Sequence, residues 1–342
     1  MRDELRDRLL ELGASDDDLA RADALGYVPL LALECRLLPG RRTYDAGGLA
    51  NAAGIDEAWA KQLWRAVGFP DVPAGVTAFS DRDAAAARDV VREAAQWHTD
   101  AEVLLQQIRV ISGAAARIAA VEAEVIADFV RRKRADGESD EDIALAFLSD
   151  DRLERLARLV DYVVRIQLRA AVWRRLALQA DPGIVVAIGF ADLSGYTELS
   201  GELDPTGLSR LLNRWEAIAY DTITAHGARV VKTIGDEVMF VGLPREVLSS
   251  AVALRGAVTS EGLPPVRGGI AAGPVIPRDG DFYGPVVNLA SRLTSVASPN
   301  SILVPAAMSA QVPDGEFVFV PLGEQFLRGI GSVQISAVQP PG

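Results

Sequence analysis

Cysteine is all but absent, for Cys35 stands alone in 342 residues. No intramolecular disulfide and no cysteine-cluster metal site can form, which suits a reducing compartment, and a lone Cys in a Leu-rich stretch reads as core. Histidine is nearly as scarce. Only His98 and His226 would titrate near neutrality unperturbed, and each reads as structural rather than as a sensor. Long hydrophobic runs are missing too: the longest charge-free apolar stretch, Gly183 to Ala191, falls far short of the roughly 18 to 20 residues a membrane helix needs. The opening Arg2, Asp3, Glu4, Arg6, Asp7 and Arg8 do not resemble a signal peptide. A cytoplasmic protein without a membrane span is expected. Basic charge is in deficit, with 35 Lys and Arg against 47 Asp and Glu, a net charge of −12 and a pI near 4.8. Such a chain gains little from non-specific attraction to nucleic acid or anionic lipid. A polyanionic substrate would need local rescue by metal ions, a few placed basic residues or helix N-termini.

What is present divides into two kinds of pattern. At this length the chain exceeds one ordinary core and suits two domains. Residues 1–150 read as helix after helix and form an expected all-α domain. Leu5, Leu9 and Leu12 make one stripe, Ser15 with Asp18 caps the next helix, and Val28 to Leu38 is a short apolar helix closed by Pro39-Gly40. Segment 44–69, with Leu49, Ala53-Gly54-Ile55, Asp56, Trp59 and Trp64, resembles the helix-turn-helix of MerR-type regulators. Its acids Asp45, Asp56, Glu57 and Asp71 outnumber Lys61 and Arg65, which argues against DNA contact and for a reused packing unit. A long helix is predicted from the Ser80–Asp83 cap to about Ile111, and a second to Arg134. Residues 151–182 read as a linker helix ended by Asp181-Pro182-Gly183. Its Leu153, Leu156, Val160 and Val163 fall at heptad spacing for two turns and then fade, so a short coiled coil and a helix packed on its own domain both remain open.

Beyond Gly183 the period changes, and residues 183–342 form the second expected domain. Ile184 to Phe190 is a β-branched run; Leu208, Leu211, Leu212, Trp215, Ile218 and Ile223 make a helical stripe. Arg229 to Ile234 and Val238 to Val241 are strands around Gly235-Asp236-Glu237. Pro244 and Pro285 open helices, and Val266 to Ala272 is a strand. This order predicts an α+β protein whose mixed sheet carries helices on one face.

Asp192 follows a buried strand in a turn closed by Ser194-Gly195, and Asp236 sits at the tip of the next hairpin. Two carboxylates at neighbouring strand ends are what paired hard cations need, although an Asp in a turn more often serves a local hydrogen bond. Two phosphate motifs are excluded. The run from Gly227 to Thr233 lacks the second glycine of a P-loop, and Gly268 to Gly273 lacks the dinucleotide spacing.

Three segments then stand in order: Phe190-x-Asp192-x-x-Gly195-x-Thr197, Lys232-x-x-Gly235-Asp236, and Asp281-x-x-Gly284-x-x-Val287-Asn288-x-Ala290-x-Arg292-Leu293. Together they resemble the class III nucleotide cyclases, over about residues 184–340. The resemblance implies a ferredoxin-like catalytic domain, two Mg²⁺ or Mn²⁺ ions held by Asp192, Asp236 and the backbone carbonyl of Leu193, and a base read by Lys232 and Asp281. It assigns ribose orientation and transition-state stabilisation to Asn288 and Arg292, and it implies a homodimer with shared active sites. Lys232 donating to an adenine ring nitrogen and Asp281 accepting from its N6 amine favour ATP, because guanine would leave the carboxylate unpaired. Asn288 and Arg292, four residues apart on one helix, share a face. Cyclic AMP and pyrophosphate are the implied products. The helical front half resembles the regulatory domain of a mycobacterial-type cyclase subgroup, which implies inhibition of the catalytic domain, a response to pH, and fatty acids as modulators. Three alternatives stay open: a catalytically dead nucleotide-binding dimer, a DNA-binding regulator, and a diguanylate cyclase suggested by Ile234-Gly-Asp-Glu-Val238, whose first glycine and phenylalanine are absent.

Overall fold

The computed structural model describes residues 1–181 and 184–340, so the predicted helix stop at Asp181-Pro182-Gly183 lies, beyond Asp181, outside the described residues. The chain forms two compact units, Met1–Ala171 and Val172–Gly342.

The first unit is helical: α1 (Asp3–Glu11), α2 (Asp16–Leu25), α3 (Val28–Leu37), α4 (Ala46–Ala53), α5 (Glu57–Val67), α6 (Asp81–Trp97), α7 (Ala101–Ala135) and α8 (Asp140–Ser149), followed by α9 (Arg152–Ala180), within which the two units meet. Short polar residues start several of these helices, among them α2, α5 and α6 as predicted. Ser15 and Asp18 form a reciprocal capping box, and the two bonds from Ser15 hold the Asp18 carboxyl below its usual range. Leu5, Leu9, Leu19, Leu31 and Cys35 pack with Ala144 and Leu148 of α8 into one core. Burial pushes the Cys35 thiol up to about 11, so it is inert packing.

One predicted feature of this unit changes. The long run from Ser80 breaks at His98, which takes a left-handed φ of 50°, and Asp100 starts α7 anew. The apolar pattern runs through this kink and hides it, whereas Gly113 lies inside α7. The helix-turn-helix-like pair α4–α5 uses its acids locally. Asp45 and Asp56 cap α4 and α5, Lys61 pairs with Glu57 at 2.6 Å, and Arg65 holds Asp71 at 2.8 Å, so neither base is left free for phosphate. Trp64 is sandwiched between Phe69 and Phe79, which makes this a packing unit. In α9, Leu153, Leu156 and Val160 are half-buried, while Val163, Leu168, Val172 and Leu176 are exposed.

The second unit runs β1 (Val186–Leu193), α10 (Tyr196–Glu202), α11 (Pro205–Ala225), β2 (Arg229–Ile234), β3 (Glu237–Gly242), α12 (Pro244–Ser260), β4 (Val266–Gly273), β5 (Ile276–Arg278), β6 (Asp281–Tyr283), α13 (Pro285–Val296), β7 (Ile302–Pro305), β8 (Val318–Leu327) and β9 (Gly331–Gln339). Seven strands form one sheet in the order β2-β3-β1-β4-β7-β9-β8, and β5 and β6 form a separate hairpin. The sheet is mixed, since β4 and β7 run parallel and the other neighbours antiparallel.

Helices cover both faces, not one. Ala187, Ala191 and Leu193 of β1 face Trp215 and Ile223 of α11 and Val247 and Leu254 of α12, whereas Ile188 and Phe190 face Val286 and Ala290 of α13. The near-continuous apolar run of β1 is what two-sided burial requires. On the α13 side the helix lies directly on β4 at Gly269, where a Cβ would meet Ala290 O and Thr294 N and would sit 2.6 Å from Leu293 Cβ. Gly269→Ala is therefore expected to lift α13 and cost about 1–3 kcal/mol, read as a lower melting temperature of the second unit by calorimetry. An unchanged transition would show that the helix yields freely.

Candidate active site

The site is built where apolar strands give out. Asp192 is the next-to-last residue of β1 and lies opposite Arg267 in the antiparallel register with β4. Arg267 grips it with two of its guanidinium nitrogens, Nε to Oδ1 at 2.7 Å and Nη2 to Oδ2 at 3.0 Å. Beyond it the chain turns at Gly195, in a left-handed conformation with φ 78°, and Ser194 N–H donates to Pro265 O at 2.8 Å. The β1 end and the β4 start are thus tied twice.

Asp236 sits in the tight turn joining β2 to β3, which Gly235 closes with a φ of 60°. Burial pushes its carboxyl pKa up, the charge of Asp192 adds to that, and a hydrogen bond from Leu193 N–H works the other way. Glu237 is pushed up as well, chiefly by burial and then by Asp192 and Asp236. Carboxylates are thus gathered at one end of the sheet, and Arg267, raised by its bonds to Asp192, is the cation set against them. Among the described residues no group of three or more His, Cys, Asp or Glu is arranged to hold a metal. Two carboxylates at neighbouring strand ends, one of them bonded by Leu193 N–H, do fit hard cations that complete their shells with water and phosphate oxygens. The raised pKa of Asp236 comes chiefly from its burial and then from the charge of Asp192, and a bound cation would favour its ionised form.

Lys232, on β2, forms an ion pair with Asp281, at the start of β6. Asp281 also accepts a hydrogen bond from Phe282 N–H at 2.8 Å, and the Phe282 ring lies under the Arg229 guanidinium at 5.7 Å. Asn288 and Arg292 are both exposed on α13, one turn apart. Among the described residues neither has a side-chain partner, and no hydrogen bond or ion pair joins them to Asp192 or Asp236. The structure therefore brings Asp192, Leu193 and Asp236 together, brings Lys232 to Asp281, and leaves Asn288 and Arg292 as free donors. Arg267 is the residue that sequence reasoning passes over. Its signal is a single charge inside the apolar, glycine-rich strand Val266–Gly273, but its partner follows only from the strand register.

Residues 178–339 match the adenylate and guanylate cyclase catalytic domain family. An adenylate cyclase of Glutamicibacter nicotianae is 30% identical over 89% of this chain and 80% of its own length. The chain belongs to the class III adenylate cyclases. It is an enzyme of the phosphorus–oxygen lyase type. An adenylate cyclase of Streptomyces coelicolor is also 30% identical, over 84% of this chain and 76% of its own, and a pH-sensitive adenylate cyclase of Mycobacterium tuberculosis is 29% identical over 97% and 86%. Among solved structures, the adenylyl cyclase CyaB of P. aeruginosa aligns with 45% of this chain and 93% of its own at a TM-score of 0.41 and 25% identity. No helix of the described residues is long and apolar enough to cross a membrane. Cyclase domains of this class generally depend on divalent cations and function as dimers.

Because burial and the Asp192 charge disfavour ionised Asp236, folding favours its protonated form. Its contribution to stability is complete below the unfolded pKa and is lost as pH rises through the folded value. At pH 7 without divalent cations, Asp236→Asn is expected to raise the cyclase's melting temperature by about 1–3 °C. A lower melting temperature would mean that the carboxylate stabilises the free enzyme.

Proposed function

We propose that this cyclase converts ATP to 3′,5′-cyclic AMP and pyrophosphate at sites shared between two copies of the chain. The observation that carries the choice of base is the ion pair of Lys232 with Asp281, which joins two elements 49 residues apart. Lys232 donates to an adenine ring nitrogen and Asp281 accepts from the N6 amine. Against guanine the same carboxylate faces an acceptor and gains no bond from the base, a penalty of about 1–3 kcal/mol by the usual cost of an unmet hydrogen bond.

Asp192, Asp236 and the Leu193 carbonyl hold two Mg²⁺ or Mn²⁺ ions in this reading. When bound, these ions supply Lewis-acid charge at the ribose 3′-hydroxyl and the phosphates. Asn288 orients the ribose so that the 3′-oxygen lies in line with the α-phosphorus, where a new P–O bond forms as the bond to pyrophosphate breaks. Arg292 neutralises charge developing on the transferring phosphoryl group. The free state of Asn288 and Arg292, with no link to the acidic end of their own chain, supports a division of labour in which each chain's carboxylates meet the partner's α13. A second reading, a nucleotide-binding dimer without turnover, has no missing site residue to recommend it.

For regulation we propose that residues 1–150 form a helical domain that inhibits the catalytic domain, residues 183–342, through the linker helix 151–182. The pH-sensitive relative, aligned along 97% of this chain, supports pH as the stimulus. His98 and His226 end α6 and α11 as capping residues, the latter bonded by Nδ1 to Thr222 O at 2.8 Å, which favours a structural role for both. Nothing in the relatives' names speaks for a fatty-acid modulator.

Purified protein with Mn²⁺ is expected to form cyclic AMP from ATP with a kcat/KM about 100-fold above that for cyclic GMP from GTP. Comparable turnover of both would overturn the assigned base selection. Asp236→Ala and Arg292→Ala chains, each inactive, should regain up to about a quarter of parental activity when mixed, because half of the dimers formed are mixed and each carries one intact site of two. No recovery at any ratio would refute shared sites.

A further inference from the structure

Strand β2 lies at the edge of the sheet, and its pairing with β3 slips by one residue. Val230 lies opposite Phe240, but Lys232 lies opposite Met239, so Val231 is an extra residue with no partner. Facing residues share a side of the sheet. Val230 and Phe240 belong to the core beneath α11 and α12, while Met239 belongs to the core beneath α13, where Val231 also packs. The bulge therefore turns both Val231 and Lys232 towards α13, the side on which Asp281 is met, and sends Thr233, opposite Val238, back towards α11.

Without the bulge, unbroken pairing from Val230 would set Lys232 against Val238 beneath α11 and Thr233 on the α13 side. The ion pair with Asp281 would then be lost, since a one-residue shift exchanges the faces of every following side chain. Edge strands hold register weakly, so something must mark the slipped state. Thr233 Oγ1 donates to Glu216 Oε1 of α11 at 2.8 Å, in a half-buried setting. That bond exists only if Thr233 faces α11, and Thr233 faces α11 only with the bulge in place. An apolar pair there would fill the space as well but would not distinguish one register from the other.

We infer that Glu216 is a positioning residue for base selection: by holding Thr233, it fixes the Val231 bulge and thereby aims Lys232 at Asp281. This rests on the assignment of Lys232 to the base. Neither Glu216 nor Thr233 touches substrate in this scheme, and their effect travels through one adjacent residue.

The test uses the full chain with Mn²⁺ and compares steady-state constants for ATP and GTP in Thr233→Val, Glu216→Ala, Glu216→Gln and Lys232→Ala. Thr233→Val and Glu216→Ala are expected to raise KM for ATP and cut the ATP-over-GTP ratio of kcat/KM about tenfold, with kcat within about twofold of the parent. Glu216→Gln, whose amide oxygen still accepts from the threonine, should stay close to the parent in all constants. Parental KM and base ratio in Thr233→Val and Glu216→Ala, with the ratio lost in Lys232→Ala, would overturn the positioning role and leave the reading of Lys232 standing. A parental ratio in Lys232→Ala itself would bring down both. A fall in kcat, KM discrimination and melting temperature together, shared by Glu216→Gln, would show ordinary destabilisation and equally overturn the inference.

Discussion

Two-sided burial of β1 is the constraint on which the catalytic unit depends. A strand with α11 and α12 on one face and α13 on the other has no solvated face on which to carry polar groups. Its only polar exit is its end, and β3, its antiparallel neighbour, exits beside it through the turn that carries Asp236. The carboxylates meet because the strands run out together, and no long-range attraction between them is required. Burial at that end has an electrostatic cost, to which the neighbouring charges add, and it shows as the upward push on Asp236 and Glu237. Arg267 offsets part of that cost by a two-pronged grip on Asp192, from the strand position directly opposite. The sheet therefore supplies both the problem and its partial remedy from adjacent residues of one ladder.

The chain as a whole repeats this economy. An excess of acid keeps it from sticking to polyanions in general, yet its substrate is a polyanion on the proposed reading. Attraction must then be local. In the helical unit many basic groups are spent on neighbours: Lys61 on Glu57, Arg65 on Asp71, Arg134 on Asp140. Such surface pairs add little stability and chiefly remove free charge from the surface. On α13 the opposite holds, with Arg292 and Asn288 projecting unpaired from a helix that is otherwise anchored through Val286, Ala290 and Leu293.

Much of this was legible in the residues because local chemistry dictates it. Ser15 with Asp18, Asp56, Pro244 and Pro285 mark helix starts that the fold keeps, and the change of period near residue 184 marks the start of the sheet. Turn chemistry likewise set Asp236 at a hairpin tip. Features that depend on pairing between distant segments were not legible. The partner of Arg267 needs the β1–β4 register, the second covered face needs to know where α13 lands, and the short β5–β6 hairpin has too few residues to show a period. The break at His98 escaped for a different reason: neither a glycine nor a proline marks it, and the alanine-rich sequence before it and the leucine-rich sequence after it suit a helix equally well.

The β2 strand shows most sharply why alternation alone misassigns a site. Counting in twos from buried Val230 puts Lys232 in the core under α11, where an unpaired ammonium would be expensive to desolvate. Counting from Lys232 as a surface residue puts Val230 on the wrong side instead. No uniform strand satisfies both, so an inserted residue is required between them, and Val231, apolar and fitted to the α13-side core, can be that residue without penalty. A conflict of period within six residues is thus itself a positional signal. It identifies where a strand must break step, and the side chain that follows the inserted residue, Lys232, is the one that pairs with Asp281.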